Sequence, residues 1–528
     1  MYQQKHVILI RYKHKHKHKH KDQGVIMSLA TLYSRARVGI DSPLVIVETH
    51  ISNGLPAMNI VGLPEAAVRE AKDRVRSAIM MSQFEFPTRR ITINLAPADL
   101  PKEGGRYDLA IAISILVASS QLGEVELKGY EFIGELALSG EIRSISGVLP
   151  SAIACEKSDR QLILPEGNQT EAALVETNNL FASHLTQVTS FLMKQSFLKS
   201  CVIEHIEKKQ LHYKDMADVK GQYQARRALE IAAAGGHNLL FIGPPGTGKT
   251  MLASRLPSIM PSMTDEEALS VASVQSVSGR RMGVDWFWQE RPFRSPHHSS
   301  SAAALVGGGS IPKPGEVSLA HCGVLFLDEL PEFDRKVLEV LREPLENGEI
   351  HLSRARAQIS YPSRFQLVAA MNASNEAYQE EGYYNSKASK GYLRKLSAPF
   401  LDRIDLHVEV PPLPSALLVN SKEEGESSDA IRQRVESAVI RQRKRQGCLN
   451  GLLDGRTLEA ICDLSPENMS FMQSALDKLG LSARAYHRVL KVALTLSDLD
   501  ESIKVEKNHL MESLSYRKME QKLAKVVS

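Results

Sequence analysis

The residues best suited to chemistry lie in one glycine-rich stretch, LLFIGPPGTGKTML, at positions 239–252. It fits the pattern G-x-x-x-x-G-K-[ST], in which a turn with few side chains lets successive backbone N–H groups converge on nucleotide phosphates. The lysine neutralises phosphate charge, and the hydroxyl after it can bind Mg²⁺. We therefore predict a phosphate-binding loop formed by Gly243, Pro244, Pro245, Gly246, Thr247, Gly248, Lys249 and Thr250, with Thr250 also a metal ligand.

Two adjacent carboxylates follow further along the chain, in the stretch GVLFLDE at 323–329. Its apolar residues predict a buried parallel strand that delivers Asp328 and Glu329 at its carboxyl end, where mononucleotides bind to such sheets. We expect Asp328 to hold Mg²⁺ and Glu329 to act as the general base that polarises the attacking water. Together the two motifs predict an ATP hydrolase with ATP and Mg²⁺ as cofactors.

Length and composition limit what can surround these motifs. A chain of 528 residues is expected to form three or four domains, and 43% hydrophobic with 24% charged residues is typical of globular protein. The longest apolar run, 109–118, is too short to cross a bilayer, and lysines stand where a secretory signal needs apolar residues. We therefore expect a cytoplasmic protein with no membrane partner. Five isolated cysteines without a C-x-x-C pair argue against disulfides and a zinc site.

Net charge gives no support for nucleic-acid binding by itself. Residues 1–26 carry a net charge of +6, so the formal +4 of the whole chain leaves −2 for residues 27–528. Any DNA contact must therefore depend on local patches. The tail contains KHKHKHKHK at 13–21, which we interpret as a disordered extension or a start codon placed too far upstream. Its alternating histidines could also bind a divalent metal adventitiously.

The residue patterns that must position the motifs indicate an α/β multidomain chain. VIVETHIS and RITINLAP predict strands, 65–81 an amphipathic helix and 108–119 a buried helix. Helical periodicity returns at GQYQARRALEIAAA, just before the phosphate loop, and a basic helix is predicted over 431–445. That helix is as consistent with a solvated face as with a nucleic-acid face.

Several ordered stretches resemble one known family. NIVGLPEAAVREAKDRVRSAI, FRSPHHSSSAAALVGGG, PGEVSLAHCGVLFLDELPEF, LDRIDLHVEVP and LSARAYHRVLKVALTL are similar to the ComM/YifB family of magnesium-chelatase-like AAA+ ATPases. The resemblance covers residue 27 to the C-terminus. It implies a Lon-protease-like α+β domain, similar to ribosomal protein S5 domain 2, then an AAA+ P-loop α/β core and a C-terminal helical lid. The expected ranges are 27–187 for the first domain, 188–213 for a linker, 214–420 for the core and 421–528 for the lid.

The first domain departs from active Lon proteases, which use a Ser-Lys dyad. PKEGGRYDL at 101–109 has no serine and SGVLPSA at 146–152 has no lysine, so proteolysis is not expected. A second departure is at 373–393, where many relatives have a C-P-C-G cluster and this chain has no cysteine. No zinc is expected there, because thiolate ligands are missing.

The family also implies further site residues. Asn372 matches the sensor-one residue that orients water, Arg403 the arginine finger and Arg484 the sensor-two arginine that reaches the γ-phosphate from the lid. Gly221 and Gln222 match positions that contact adenine. The resemblance implies a ring, expected to be a hexamer, in which Arg403 reaches the nucleotide of the next subunit.

Two insertions concern what the ring would hold. Residues 293–320 contain His297 and His298 and are interpreted as a flexible loop rather than a metal site, since three or four ligands are needed. Residues 348–360 alternate with period two and predict a hairpin that carries Arg354 and Arg356 on one face. Both arginines are candidates for DNA phosphate contact, although a solvated hairpin face is the alternative.

The family resemblance therefore implies a ComM-like branch-migration helicase that acts on single-stranded or branched DNA in natural transformation and recombination. The alternative is a protein-remodelling or metal-insertion ATPase of the magnesium-chelatase type. Arginines on the hairpin favour a polyanion, whereas the threading of a polypeptide usually requires an aromatic pore loop.

Overall fold

The computed structural model describes residues 29–62, 66–201, 213–279, 288–309, 312–354, 357–372, 396–414 and 425–518. The predictions for the tail at 1–26, for Arg356 and for the cysteine-free stretch at 373–393 lie outside these residues. Within them, the chain is a mixed α/β protein with a parallel-sheet core and a helical C-terminus. The coarse fold-class prediction is therefore confirmed, while the Lon-like naming of the first domain stays a prediction.

The first part of the chain forms an eight-stranded mixed sheet in the order β10-β9-β8-β5-β1-β2-β4-β3. Strands β6 and β7 pair with each other as a small separate ribbon. The ten strands are β1 Leu29–Arg35, β2 Leu44–Ser52, β3 Ala57–Val61, β4 Arg90–Ala96, β5 Tyr130–Phe132, β6 Glu135–Leu136, β7 Ile142–Arg143, β8 Gln161–Pro165, β9 Leu180–Ala182 and β10 Lys199–Ser200. Alternate residues of β1 and β2 are buried, so one face of the sheet packs against the helices.

The helices of this part are Ala66–Met81, Asp108–Ala118, Val148–Glu156, Gln169–Ala172 and Leu185–Leu192. Every residue of Asp108–Ala118 is buried, as its largely apolar sequence predicts. Ordered structure continues into the segment predicted to be a linker. The end of the helix Leu185–Leu192 and the strand β10 fall there, and Leu192 and Leu198 pack against the same core as the sheet.

The second sheet holds the predicted motifs and is parallel throughout, in the order β12-β15-β18-β11-β19. Two short antiparallel pairs, β13-β14 and β16-β17, lie beside it. The nine strands are β11 Leu239–Gly243, β12 Phe293–Arg294, β13 Gly307–Gly308, β14 Lys313–Pro314, β15 Val324–Leu327, β16 Glu349–Arg354, β17 Ala357–Pro362, β18 Gln366–Asn372 and β19 Leu406–Glu409.

Both faces of this parallel sheet are covered. Leu239 and Phe241 of β11 belong to a buried cluster with the helix Tyr223–Gly235 and C-terminal helices, whereas Leu240 and Ile242 face a cluster that includes β16 and β17. Alternation of this kind is expected for a central strand between two layers. The helices that follow β11 are Lys249–Ala253, Leu256–Ile259, Asp265–Ser278, Ala302–Val306, Glu316–Leu319, Arg335–Val340, Arg342–Asn347, Ala398–Leu401, Ser428–Gln446, Gly455–Cys462, Pro466–Leu479, Ala483–Leu499 and Lys507–Ser515.

The prediction of a flexible loop at 293–320 is wrong for the described residues of that segment. They form β12, the helix Ala302–Val306, the β13-β14 pair and the helix Glu316–Leu319. Leu305 and Val317 are fully buried in the cluster shared with β16 and β17. Glycine and serine suggested a loop, but these two apolar side chains supply enough burial to fix short elements. The predicted hairpin, by contrast, is present as β16-β17.

Among the described residues, no helix combines the length and the apolar character needed to cross a membrane. All five cysteines are free thiols.

Candidate active site

The phosphate loop begins where β11 ends. Two of its positions require glycine, each for a different physical reason. A Cβ on Gly243 would lie 2.2 Å from the carbonyl oxygen of Val410, so the adjoining chain leaves no room for a side chain. Gly248 has a φ of +87°, in the left-handed region that favours glycine, and it immediately precedes the helix Lys249–Ala253. One glycine thus permits close packing behind the loop, and the other permits the turn into the helix.

Lys249 lies inside this loop and is only 6% exposed. Its ammonium group donates to the carbonyl oxygens of Gly243 at 2.9 Å and Pro244 at 2.7 Å, and the Thr247 hydroxyl donates to Pro244 at 3.0 Å. Burial lowers the pKa of Lys249, while the charge of Asp328 opposes that shift. The loop therefore has a positive charge already positioned in it, as the binding of a phosphate requires.

Thr250 and Asp328 come together although they are far apart in sequence. The Thr250 hydroxyl donates to a carboxylate oxygen of Asp328 at 2.7 Å. A hydroxyl and a carboxylate are hard oxygen ligands, which Mg²⁺ prefers, and Mg²⁺ commonly takes few protein ligands and shares phosphate oxygens. These two residues fit the predicted magnesium site.

Glu329 has an unusual backbone conformation for a residue other than glycine. Its φ is +52°, and its N–H donates to Asp328 Oδ1 at 3.0 Å. Strained residues of this kind persist where the surroundings hold them, often at functional sites. Its carboxylate is about half exposed, and Oε2 lies 3.3 Å from Nδ1 of His298. A proton acceptor is therefore presented beside the phosphate loop and accessible to water.

His298 is a neighbour of the site that sequence reasoning did not identify. It was considered only as part of a histidine pair, and no described group of metal-ligand side chains includes it. The signal that points to it is positional: it closely follows β12, and β12 pairs with β15, which leads directly into Asp328 and Glu329.

Asn372 completes the set at this edge of the sheet. It is the last residue of β18 and pairs in register with Gly243 of β11, while Leu327 of β15 pairs with Ala369. Because the strands are parallel, their carboxyl ends share one edge. The structure thus brings together Lys249, Thr250, Asp328, Glu329 and Asn372.

The predicted arginine finger, Arg403, and the predicted sensor-two arginine, Arg484, lie near the amino ends of the strands, at the side of the sheet opposite the phosphate loop. Arg403 precedes β19, whose Leu406 pairs with Leu239 at the start of β11, and the Asn238 side chain donates to the Arg403 carbonyl oxygen at 2.9 Å. The strand β11 spans roughly 13 Å at about 3.3 Å per residue. Arg403 is therefore separated from the phosphate loop of its own chain by the length of the sheet.

Arg484 lies beside Arg403 rather than beside the phosphate loop. Both line a cavity of about 240 Å³, together with Glu346, Asp402, Arg488 and Lys491. The Arg484 side chain is 71% exposed, and its guanidinium lies 3.9 Å from Asp402. Arg403 is more enclosed and pairs with Glu346, and burial lowers its pKa while Glu346 opposes that shift.

The helix that carries Arg484 is fixed to this edge of the sheet by a buried ion pair. Arg488 donates to Asp405 at 2.5 Å. Burial alone would raise the pKa of Asp405, but Arg488 and His237 outweigh it and hold that pKa below its usual range. The ion pair therefore holds the helix that lines the cationic cavity in place. Three arginines and a lysine line this cavity.

Other predicted contacts are placed as follows. Gly221 and Gln222 both have positive φ, and the Gln222 side chain donates to the carbonyl oxygen of Pro411 at 2.8 Å, next to the end of β19. Arg354 is the last residue of β16, opposite Ala357 of β17. In the stretch 146–152, which lacks the lysine of the protease dyad, Ser151 is fully buried and hydrogen-bonded to Ser42 and Arg106, neither of which is a general base.

The basic helix Ser428–Gln446 is largely neutralised by acidic partners. Its paired arginines, each with a carboxylate within ion-pair distance, are Arg432 with Asp429, Arg434 with Glu230 and Glu426, Arg441 with Glu501, Arg443 with Glu267, and Arg445 with Asp498. Five of its six basic residues are therefore engaged within the fold, and the solvated alternative is favoured over a nucleic-acid face.

Comparison with known proteins matches the whole extent of this architecture. Family models described as "Magnesium chelatase, subunit ChlI", "Subunit ChlI of Mg-chelatase" and "Magnesium chelatase, subunit ChlI C-terminal" match residues 215–418, 47–168 and 425–517. The chain is 52% identical over 509 residues to "Competence protein ComM" of Haemophilus influenzae, covering 95% of this chain and 99% of that protein.

Other relatives extend the range of similarity. An uncharacterized protein named YifB of Escherichia coli is 50% identical over 501 residues, covering 94% of this chain and 98% of its own. A "Magnesium-chelatase subunit ChlI homolog" of Methanocaldococcus jannaschii is 24% identical over 225 residues, covering 39% of this chain and 55% of its own. Since identity of 50% or more extends over almost the full length of two relatives, this chain belongs to the ComM/YifB family of magnesium-chelatase-like proteins.

Proposed function

We propose that this protein is a ring-forming AAA+ ATPase, expected to be hexameric and cytoplasmic. It would couple ATP hydrolysis to the remodelling of single-stranded or branched DNA, as a ComM-like branch-migration helicase in natural transformation and recombination. The observation that carries the proposal is the convergence of the phosphate loop, the Thr250–Asp328 pair and Glu329 at one edge of a parallel sheet.

The chemistry follows from these side chains. The phosphate loop and Lys249 would bind and orient the triphosphate, and Mg²⁺ held by Thr250 and Asp328 would offset the charge of the phosphates. Glu329 would accept a proton from the attacking water, and Asn372 would orient that water. Preorganised charges of this kind stabilise the transition state more than the ground state.

The ring is supported by the position of the second cluster. Arg403 and Arg484 share a cationic cavity at the edge of the sheet opposite the phosphate loop of the same chain. A cation that acts on the γ-phosphate must approach it closely, so these arginines would serve a nucleotide bound by a neighbouring subunit. A head-to-tail ring places each cavity against the next phosphate loop.

DNA as the substrate is supported by the hairpin β16-β17, in which Arg354 is the last residue of β16, and by the similarity to the Competence protein ComM of Haemophilus influenzae. The test is the ATPase rate measured with and without forked and four-way DNA, beside a strand-displacement assay. We expect branched DNA to stimulate turnover and ATP to drive its remodelling. If no DNA changed the rate of ATP hydrolysis, the proposal that DNA is the substrate would be overturned. That result would favour a protein-remodelling or metal-insertion ATPase of the magnesium-chelatase type, the family whose model matches residues 215–418. Absence of any ATP hydrolysis would overturn the ATPase itself.

A further inference from the structure

His298 is the polar neighbour of Glu329 on the side away from Asp328. Its Nδ1 lies 3.3 Å from Glu329 Oε2, whereas the backbone N–H of Glu329 is directed to Asp328. No other contact to the Glu329 carboxylate is recorded among the described residues. The carboxylate is therefore contacted by a residue from the turn that follows a neighbouring strand, β12.

The imidazole of His298 is itself held in place. Its ring packs edge-on against Phe333, with centroids 6.5 Å apart, and lies against the ring of His297 at 4.1 Å. Phe333 is buried in the core beneath the sheet, 1% exposed. A histidine whose ring rests on a buried aromatic is restricted in its rotamers and can orient a partner.

The segment that presents His298 is anchored at both ends. Before it, Phe293 and Arg294 of β12 pair with Val324 and Leu325 of β15, and Arg294 forms a two-point ion pair with Glu316 at 2.6 and 2.8 Å. After it, the helix Ala302–Val306 buries Leu305 in the cluster shared with β16 and β17. The histidine is thus part of the same rigid framework as the strand that carries Glu329.

We infer that His298 is a positioning residue for Glu329: through the contact between its Nδ1 and Oε2 it sets the direction in which the carboxylate meets water. This inference rests on the proposed ATPase function. The second carboxylate oxygen, Oε1, remains the one to accept the proton of the attacking water. Misplacement of a reacting group by about 1 Å can cost around 100-fold in rate, so orientation of this single carboxylate is a large effect.

The variants can be matched to the geometry. His298→Ala removes the donor, while His298→Asn places an amide N–H at the same number of bonds from the backbone as Nδ1. We expect kcat to fall about 10-fold or more in His298→Ala, with KM for ATP nearly unchanged, and to recover largely in His298→Asn. His297→Ala is the packing control, because it removes a ring that lies against His298 and whose nitrogen pairs with Ser299 rather than with Glu329.

A binding measurement separates positioning from folding. ADP with tetrafluoroaluminate mimics the transition state, so its affinity should drop in His298→Ala while the affinity for ADP alone is retained. In a Glu329→Gln background, His298→Ala should cause no further loss of rate, because residues that act through one another are not additive.

The outcomes distinguish this inference from the proposed function. If Glu329→Gln leaves hydrolysis unchanged, the proposed ATPase site is wrong. If Glu329→Gln is slow but His298→Ala retains wild-type kcat and tetrafluoroaluminate affinity, the inference about His298 alone is overturned. Equal losses in His298→Ala, His298→Asn and His297→Ala would also overturn it, since they would indicate a packing role.

Discussion

At the scale of single residues, several side chains and one backbone segment of the site are held in fixed orientations by contacts within the protein. Lys249 is bonded inside its own loop, Thr250 is bonded to Asp328, and Glu329 has a left-handed backbone. The left-handed backbone of Glu329 costs free energy of order 1 kcal/mol or more. Preorganisation of this kind removes the reorganisation that the reaction would otherwise require.

The first prediction concerns the general base. Glu329→Gln removes the proton acceptor but keeps the size of the side chain, so the variant should still bind ATP and hydrolyse it at least ~100-fold more slowly. Turnover at saturating ATP and the binding of a fluorescent ATP analogue measure the two effects separately. Glu332→Gln, a change of the same kind in the adjoining segment, is the control and should turn over normally. Normal turnover in Glu329→Gln would remove the role assigned to Glu329.

At the scale of elements, the hairpin β16-β17 differs from the basic helix Ser428–Gln446. Arginines of the helix form ion pairs with Glu230, Glu267 and Asp498. The hairpin carries Arg354 at the end of β16. Charges already neutralised by the fold contribute little to a polyanion site. The ion pairs therefore make the helix Ser428–Gln446 a poor candidate for a DNA contact.

The second prediction tests that difference. Arg354→Ala combined with Arg356→Ala should weaken DNA binding and flatten its salt dependence by about 0.9 in log-log slope for each lost duplex phosphate contact. Arg441→Ala combined with Arg443→Ala removes the same charge from the paired helix and should change the slope far less. If the hairpin variant keeps its affinity and slope while DNA still stimulates turnover, the hairpin is not the contact surface.

At the scale of the whole molecule, the two edges of the parallel sheet have different tasks. One edge carries the phosphate loop and Glu329, and the other carries the cationic cavity around Arg403 and Arg484. In the proposed ring, each site combines the phosphate loop of one chain with the cavity of its neighbour, so a single chain holds only half of each site. Activity should then require neighbouring subunits.

The third prediction follows from this division. Arg403→Ala should bind nucleotide but lose roughly 1000-fold or more in rate, because an arginine at the γ-phosphate acts on the transition state. Mixing it with Lys249→Ala protein, which has an intact cavity and a defective loop, should restore some activity. If mixed rings form and every ratio stays inactive, Arg403 acts within its own chain or in folding.

Because Arg403 is enclosed and pairs with Glu346, its replacement could affect folding as well as catalysis. Arg484→Ala is the companion variant, since that side chain is 71% exposed. It should fold with an unchanged melting temperature, lose turnover, and regain some activity when mixed with Lys249→Ala. Full activity in Arg484→Ala alone would exclude it from the site.

The fourth prediction concerns the N-terminal tail. Removal of residues 1–26, which have little apolar surface to bury, should leave ATPase activity and assembly intact. Size-exclusion chromatography and turnover compare the two forms. Failure of the shortened chain to fold would give the tail a structural role.

Features that depend on neighbours along the chain can be predicted from the amino-acid sequence alone. The phosphate loop, the strand before Asp328 and Glu329, the buried helix Asp108–Ala118 and the hairpin β16-β17 are all read from local pattern and spacing. Turn geometry and the periodicity of apolar residues act over a few positions, so they leave a signal in a single sequence.

Contacts between residues far apart in sequence emerge only from the packing of the folded chain. The pairing of Thr250 with Asp328 could be expected from the motifs, but the contact of His298 with Glu329 could not, because it arises from β12 lying beside β15. Likewise, the parallel register of β19 with β11 places Arg403 at the amino ends of these strands, opposite the phosphate loop. The sequence of 293–320 predicts a loop for the same reason: Leu305 and Val317 stabilise the segment only when another part of the chain buries them.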